Sequence, residues 1–273
     1  MTVYPNAKIN IGLQVLENLT DGYHSIRSVF YPIGLQDTLT LEPASGRQGL
    51  ELRITGLDVP GDLSSNLCTK AYELIGRDYP LPGLNLHLHK TIPIGAGLGG
   101  GSSNAAYFIR ALNETFELGL AWGEMHHYAK QLGSDCSFFI SNRPAFASGK
   151  GDLLESMDLS LKGYFLVLVC PPVHVSTAEA YGGVRPELTE FDLESYVTGH
   201  PPEAWKDIVR NDFETSIFHK HPDLAAIKEN LYSKGAVYAS MTGSGSAVYG
   251  VFRSPVDLTS NFEGAFVWQG VLD

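Results

Sequence analysis

Pro93-Ile94-Gly95-Ala96-Gly97-Leu98-Gly99-Gly100-Gly101-Ser102-Ser103-Asn104-Ala105-Ala106 is the stretch on which the reading of this chain turns. Five glycines fall in the seven positions from 95 to 101. Without a Cβ, such a backbone can take positive φ and approach a ligand closely, so its amides can converge on phosphate oxygens. Downstream, Ala105, Ile109, Leu112 and Phe116 recur at helical spacing, which predicts a helix with Ser103 near its start. The free N–H groups and positive dipole end of that helix suit an anion. A tight strand-to-helix loop without a ligand could use some of the same residues. The two serines, the extra glycines and the helix register favour phosphate. No Gly-Lys-Ser/Thr follows, so this is not a Walker A loop. Several strands precede it, whereas a dinucleotide fingerprint belongs in the first βα unit.

Ahead of the loop, Leu84 to Lys90 alternates, with Leu84, Leu86 and Leu88 on one face and Asn85, His87 and His89 on the other. Ala7 to Leu16, Ser28 to Ile33, Thr38 to Leu41 and Leu50 to Ile54 read as strands, Thr20-Asp21-Gly22 as a turn and Asn66 to Ile75 as a helix. Behind it, a helix over Glu124 to Gln131 is stopped by Gly133. The pattern restarts around residues 150 to 160. Tyr164 to Val169 is a strand ended by Pro171-Pro172, Pro222 opens a helix that Gly235 closes, and Val237 to Ser240 and Ala247 to Phe252 flank a second glycine-containing loop, Thr242 to Ser246. A last strand lies near Ala265 to Gly270. The second half suggests a split βαβ, ferredoxin-like unit. A boundary near residue 155 divides the chain into 1–155 and 156–273.

The 273 residues suffice for two cores. With 44% hydrophobic and 18% charged residues, the composition is that of an ordinary soluble globular protein. A formal net charge of −11 argues against a nucleic-acid partner and means that an anionic ligand needs a local site lined with amides and cations. Cys68, Cys136 and Cys170 are odd in number and far apart, so neither a disulfide framework nor a zinc site is expected, and a reducing cytoplasm fits. Met1 to Asn10 has no apolar signal core, and the longest apolar run, Phe165 to Cys170, is about a third of a membrane span, so no membrane partner is expected. His87-x-His89 has metal-like spacing without a third ligand in view and reads as surface.

The glycine loop resembles the second motif of the GHMP kinases, and its Gly-Leu-Gly-Gly-Gly-Ser-Ser-Asn-Ala-Ala form is similar to the branch whose acceptor is a cytidine-diphosphate-linked polyol. Ala7-Lys8-Ile9-Asn10 and Asp21-Gly22-Tyr23-His24 resemble that branch's opening elements, Gly133-Ser134-Asp135 with Phe138-Phe139 its middle element, and Thr242-Gly243-Ser244-Gly245-Ser246 the third motif of the superfamily. The matches run in family order over nearly the whole chain. Small departures occur at Asn6, Tyr107 and Ser137, and the chain is short after Phe252, which leaves the length of a last helix open.

The resemblance implies an α+β fold of two domains, the first like the second domain of ribosomal protein S5 and the second ferredoxin-like, with the active site in the cleft between them. It implies an ATP-dependent kinase with Asp135 as general base and Lys8 as its partner. From the sequence alone Asp135 also fits a turn or cap residue after Gly133, and Lys8 a strand-edge charge. The ATP site would comprise Pro93, Gly95, Gly97, Leu98, Gly99, Gly100, Gly101, Ser102 and Ser103, with Asn66 and Lys90 near the adenine. Asn66 also fits a helix N-cap, and Lys90 a solvated strand-end charge. Magnesium would accompany ATP, with Ser103 as the hydroxyl near it. The substrate side would be Asn10, Tyr23, His24, Tyr181 and Thr242; Tyr181 also fits simple core packing. Monomer and homodimer stay open. A different GHMP kinase, or a GHMP-fold sensor without turnover, are the rival readings.

Overall fold

The computed structural model describes every residue except Asp21 and Asp273. In chain order the elements are β1 (Thr2–Val3), β2 (Asn6–Asn18), β3 (His24–Gln36), β4 (Thr38–Pro43), β5 (Leu50–Gly56), α1 (Leu67–Ile75), β6 (Leu84–Lys90), α2 (Gly100–Thr115), α3 (Trp122–Leu132), α4 (Cys136–Ser141), β7 (Ala145–Ser148), β8 (Leu153–Ser156), β9 (Phe165–Cys170), α5 (Thr177–Gly183), α6 (Leu193–Gly199), α7 (Phe213–Lys220), α8 (Pro222–Ser233), β10 (Tyr238–Met241), β11 (Val248–Phe252) and β12 (Phe266–Val271). This is an α+β fold. By internal packing the residues group into two units that interleave along the chain: Met1–Ala7, Leu35–Ile94 and Gly99–Asn142 form one, and Lys8–Gly34, Gly95–Leu98 and Arg143–Asp273 the other.

The first unit holds a four-stranded sheet in the order β1-β4-β6-β5, antiparallel except where β5 runs parallel to β6. The alternation in β6 is kept: Leu84, Leu86 and Leu88 are buried and Asn85, His87 and His89 exposed. Burying one such leucine is worth roughly 1.5–3 kcal/mol. Helices α1, α2, α3 and α4 pack on one another, and α2 also packs on β4. α1 starts where Asn66 Oδ1 accepts from Cys68 N at 2.9 Å. α3 starts where the Glu124 carboxylate accepts from Ala121 N at 2.7 Å.

The second unit holds two sheets, β2-β3-β7-β8 and β10-β11-β9-β12. In the latter every pairing is antiparallel. Its core joins Val167 and Val169 of β9, Ala239 and Met241 of β10, Val248 of β11, Phe213 and Ile217 of α7 and Leu224 and Leu231 of α8. Pro222 stands at the first position of α8, where its missing N–H costs nothing. After Phe252 the described chain forms a single 3₁₀ turn, Thr259–Asn261, and then β12, so no last helix is present there. The turn around 20–22 closes with Gly22 N donating to Leu19 O at 3.1 Å and Leu19 N to Tyr23 O at 2.7 Å; Asp21 itself lies outside the described residues. Cys68, Cys136 and Cys170 are free and buried, and burial pushes each thiol up to about 12. Among the described residues no helix is long and apolar enough to cross a membrane.

Candidate active site

β2 presents Lys8 and Asn10 from a strand that is buried on both faces over most of its length. The Lys8 ammonium donates to Asn10 Oδ1 at 2.5 Å and lies 4.7 Å from the centre of the Phe30 ring. Asn10 Nδ2 donates to Ser28 Oγ at 2.8 Å, and Asn10 N donates to Thr242 Oγ1 at 3.0 Å. Tyr249 Oη donates to Asn10 O at 2.8 Å, and burial holds that phenol well above its usual pKa, so it stays a donor. The Asn10 amide thus joins Lys8 to Ser28.

The middle of the glycine loop belongs to the same unit. Leu98 is buried, and its carbonyl accepts from Lys8 N at 3.0 Å. Thr242 Oγ1 donates to Gly97 O at 3.1 Å. Gly97 has φ +77°, and a Cβ there would sit 2.0 Å from Thr242 O, so no other residue fits without moving the loop. Lys8, Asn10, Gly97, Leu98 and Thr242, scattered over the sequence, are therefore joined by hydrogen bonds. Thr242 is fully buried, with its hydroxyl engaged on both sides.

In the first unit the loop turns into α2 through Gly99, whose left-handed φ of +70° caps the helix. Beneath this start lies a closed polar cluster that the sequence reading did not find. The Lys90 ammonium pairs with Asp37 Oδ2 and donates to Asn104 Oδ1 at 3.0 Å. Asp37 also accepts from Thr91 N at 2.7 Å, Ile92 N at 2.9 Å and Asn104 Nδ2 at 2.8 Å. Lys90 is therefore not the solvated strand-end charge that the sequence allowed. Period-two counting continued from Leu84, Leu86 and Leu88 puts residue 90 inside. Gly100 sits directly over the cluster, since its Cβ would lie 3.3 Å from Lys90 Nζ. Gly101 faces open space. The Ser102 hydroxyl meets the Cys136 thiol.

Asp135 stands at the N-cap position of α4, yet its side chain makes no capping hydrogen bond. The cap reading is therefore not what holds it there. Ser103 Oγ is shut from solvent and has no hydrogen-bond partner among the described residues. An unpaired buried hydroxyl is costly unless a ligand or ion completes it. Among the described residues no group of three His, Cys, Asp or Glu side chains could hold a metal. A hydroxyl oxygen of this kind is a fitting partner for a small hard cation.

In the second unit His24, at the start of β3, stacks on Tyr181 of α5, with ring centres 4.5 Å apart and planes at 25°. Tyr181 meets the edge of Phe213, 4.8 Å away at 81°. Tyr23 is exposed, with Lys150 Nζ 4.3 Å from its ring centre. The three rings named from the sequence share this unit, and the stack joins two of them. Asn211 and Glu214 were missed. Asn211 donates to Met241 O and Gly243 O, and Glu214 accepts from Met241 N, so both brace the loop that carries Thr242. One buried polar residue just ahead of a helix and one in its first turn give no periodic signal, so only the fold reveals them.

Residues 66–150 match the family described as GHMP kinases N terminal domain, and residues 196–260 match GHMP kinases C terminal. A relative from Bacteroides fragilis, named 4-diphosphocytidyl-2-C-methyl-D-erythritol kinase, is 46% identical over 98% of each chain. One of the same name from Parabacteroides distasonis is 44% identical over 100% of each. A crystal structure of 4-(cytidine 5'-diphospho)-2C-methyl-D-erythritol kinase superposes with TM-score 0.86 at 30% identity, covering 100% of this chain and 99% of that one. The mevalonate kinase of Methanococcus jannaschii, at TM-score 0.73 and 13% identity, shares the fold.

Proposed function

This chain belongs to the GHMP kinase family, and from that premise we propose that it transfers the γ-phosphoryl group of ATP to the 2-hydroxyl of 4-diphosphocytidyl-2-C-methyl-D-erythritol, a step of the non-mevalonate isoprenoid pathway. One observation carries the substrate: full-length relatives at 44–46% identity bear that name. The rings of Tyr23, His24 and Tyr181 support it, since flat aromatic surfaces suit a pyrimidine and a bare small alcohol needs none.

The acceptor oxygen bonds to the γ-phosphorus as the bridge to the β-phosphate breaks, leaving ADP and the 2-phosphate. Asp135 takes the hydroxyl proton. Lys8, aimed by Asn10, is the partner of that base in the family pattern and offsets charge on the transferring group. Gly95 to Ser103, entered through Pro93, binds the phosphates through backbone N–H groups. Asn66 and Lys90 border the adenine, Lys90 by its place in the chain because its ammonium is committed to Asp37. Thr242 serves the substrate side by holding Asn10. Magnesium, when bound, neutralises phosphate charge; Ser103 is its protein hydroxyl, and its remaining oxygens come from nucleotide and water. By family likeness residues 1–155 correspond to the nucleotide-binding domain and 156–273 to the ferredoxin-like one, a division distinct from the two interleaved packing units. A cytoplasmic setting suits the three free thiols.

Asp135→Asn tests the chemistry. It keeps the shape but accepts no proton, so kcat falls roughly 10²–10⁴-fold while the dissociation constants of both substrates hold. Turnover within about threefold of wild type would move the proton elsewhere, to water or to phosphate itself.

A further inference from the structure

We propose that Asn211 is a positioning residue for Lys8, acting through Thr242 and Asn10; this rests on the role given to Lys8 above. Asn211 is buried in the turn ahead of α7. Its Nδ2 donates to Met241 O and to Gly243 O, both at 2.9 Å. These two carbonyls flank Thr242. Its Oδ1 accepts from Phe213 N at 3.1 Å. An amide is the side-chain group of this size that offers two donors and an acceptor at once. Aspartate would set a carboxylate oxygen against two carbonyl oxygens, and leucine would remove all three bonds.

Glu214 secures the same strand end. Its Oε1 accepts from Met241 N at 2.8 Å and Ser240 Oγ at 3.1 Å, and its Oε2 pairs with Lys228 Nζ at 2.6 Å. The turn is also tied to β2. Leu13 N donates to Arg210 O at 2.9 Å, Asp212 N to Leu13 O at 2.9 Å, and Val15 N to Asp212 Oδ2 at 2.8 Å. A ring is thereby closed. It runs along β2 from Asn10 to Leu13, across to Asn211, on to Met241 and Gly243, and back from Thr242 Oγ1 to Asn10 N. Lys8 donates to this ring at Asn10 Oδ1. Removing the Asn211 amide takes away two of the bonds that hold the Thr242 loop, and a shift of that loop is passed through Thr242 Oγ1 to Asn10 N and so to the group that Lys8 is bonded to. A misplacement of about 1 Å at a reacting group can cost 10²-fold in rate.

The test is a double-mutant cycle on the intact enzyme with ATP and the cytidyl acceptor. Asn211→Ala lowers kcat by roughly 10- to 100-fold and leaves both KM values within about threefold. In the Lys8→Met background the same substitution lowers the residual kcat no further, because the two act as a unit. A scaffold role alone would lower the melting temperature equally in both backgrounds and leave kcat intact. Thr242→Val and Thr242→Ser repeat the test from the other side of the ring should Asn211→Ala not fold: serine keeps the hydroxyl and retains activity, and valine loses it. The proposal is overturned if Asn211→Ala keeps wild-type kcat, if it costs the same factor with and without Lys8, or if valine and serine at 242 behave alike. If Lys8→Met alone leaves kcat unchanged, the role of Lys8 falls, and this proposal with it.

Discussion

His24 lies flat on Tyr181, ring centres 4.5 Å apart, although 157 positions separate them in the chain. An aromatic contact of this kind adds about 0.5–1.5 kcal/mol beyond area burial. Through it the start of β3 and the helix α5 share one ring surface, the surface assigned to cytosine. His24→Ala should raise KM for the cytidyl acceptor by about tenfold, one aromatic contact's worth, and leave KM for ATP unchanged. Tyr181→Phe keeps the stack and should behave as wild type, whereas Tyr181→Leu should follow His24→Ala. Parallel rises in both KM values would detach these rings from the acceptor.

Two glycines of the phosphate loop should respond oppositely to substitution. Gly101 faces open space in the first turn of α2, so leucine there fits and favours the helix. Gly101→Leu should keep the melting temperature and raise the ATP dissociation constant, since the new side chain fills the approach to the loop amides. Gly97→Ala instead meets Thr242 O at 2.0 Å with φ at +77°, and should lower stability as well as activity. Calorimetric titration and thermal unfolding separate the two. Wild-type ATP affinity in Gly101→Leu would take the loop out of the site.

β6 shows how far the sequence could be read. Its alternation gave the strand, its buried face and the exposed His87-x-His89, and the counting stopped one residue short of Lys90. Carried on, it would have put Lys90 inside and raised the question of its partner. The partner, Asp37, is 53 residues away and no local pattern points to it. The same holds for Asn10 and Thr242, 232 residues apart. Long periodic elements such as α2 and α8 were legible because a dozen residues vote on one face. The four-residue β7 and β8 and the short helices α4 to α7 give too few periods to register. The motif residues were legible by resemblance, but not what each side chain touches: the bond between Asn10 and Thr242 has no local signal.

Asp212 should set a pH dependence of stability. Burial outweighs the hydrogen bond from Val15 N and raises its carboxyl above the usual value. A folded-state pKa above the unfolded one means that the native state binds the proton more tightly, so stability falls as pH rises through the folded value. At neutral pH the ionised, half-buried carboxylate is a cost. Asp212→Asn keeps an acceptor for Val15 N and removes the charge. It should raise the melting temperature at pH 7, with the gain shrinking towards acid as the wild-type carboxyl protonates. A gain independent of pH, or a loss at pH 7, would show that the charge is better accommodated than its burial implies.

The three thiols should be silent in the native enzyme. Burial pushes each up to about 12, so at pH 8 the thiolate fraction is negligible and the sulfurs are closed to reagent. Ellman's reagent should find no fast-reacting thiol in the folded protein and three after denaturation, with nucleotide making no difference. A fast native thiol at Cys136 would mean that the start of α4, and Asp135 with it, opens in solution.

The most direct test of the whole account is the choice of acceptor. The purified protein, given ATP and magnesium, is offered 4-diphosphocytidyl-2-C-methyl-D-erythritol, mevalonate and homoserine separately, and ADP release and the phosphorylated product are measured. The account predicts that the cytidyl compound has the highest kcat/KM and that phosphorus NMR finds the new phosphate on its 2-oxygen. A higher kcat/KM for mevalonate or homoserine, or nucleotide binding without turnover of any of the three, would contradict it.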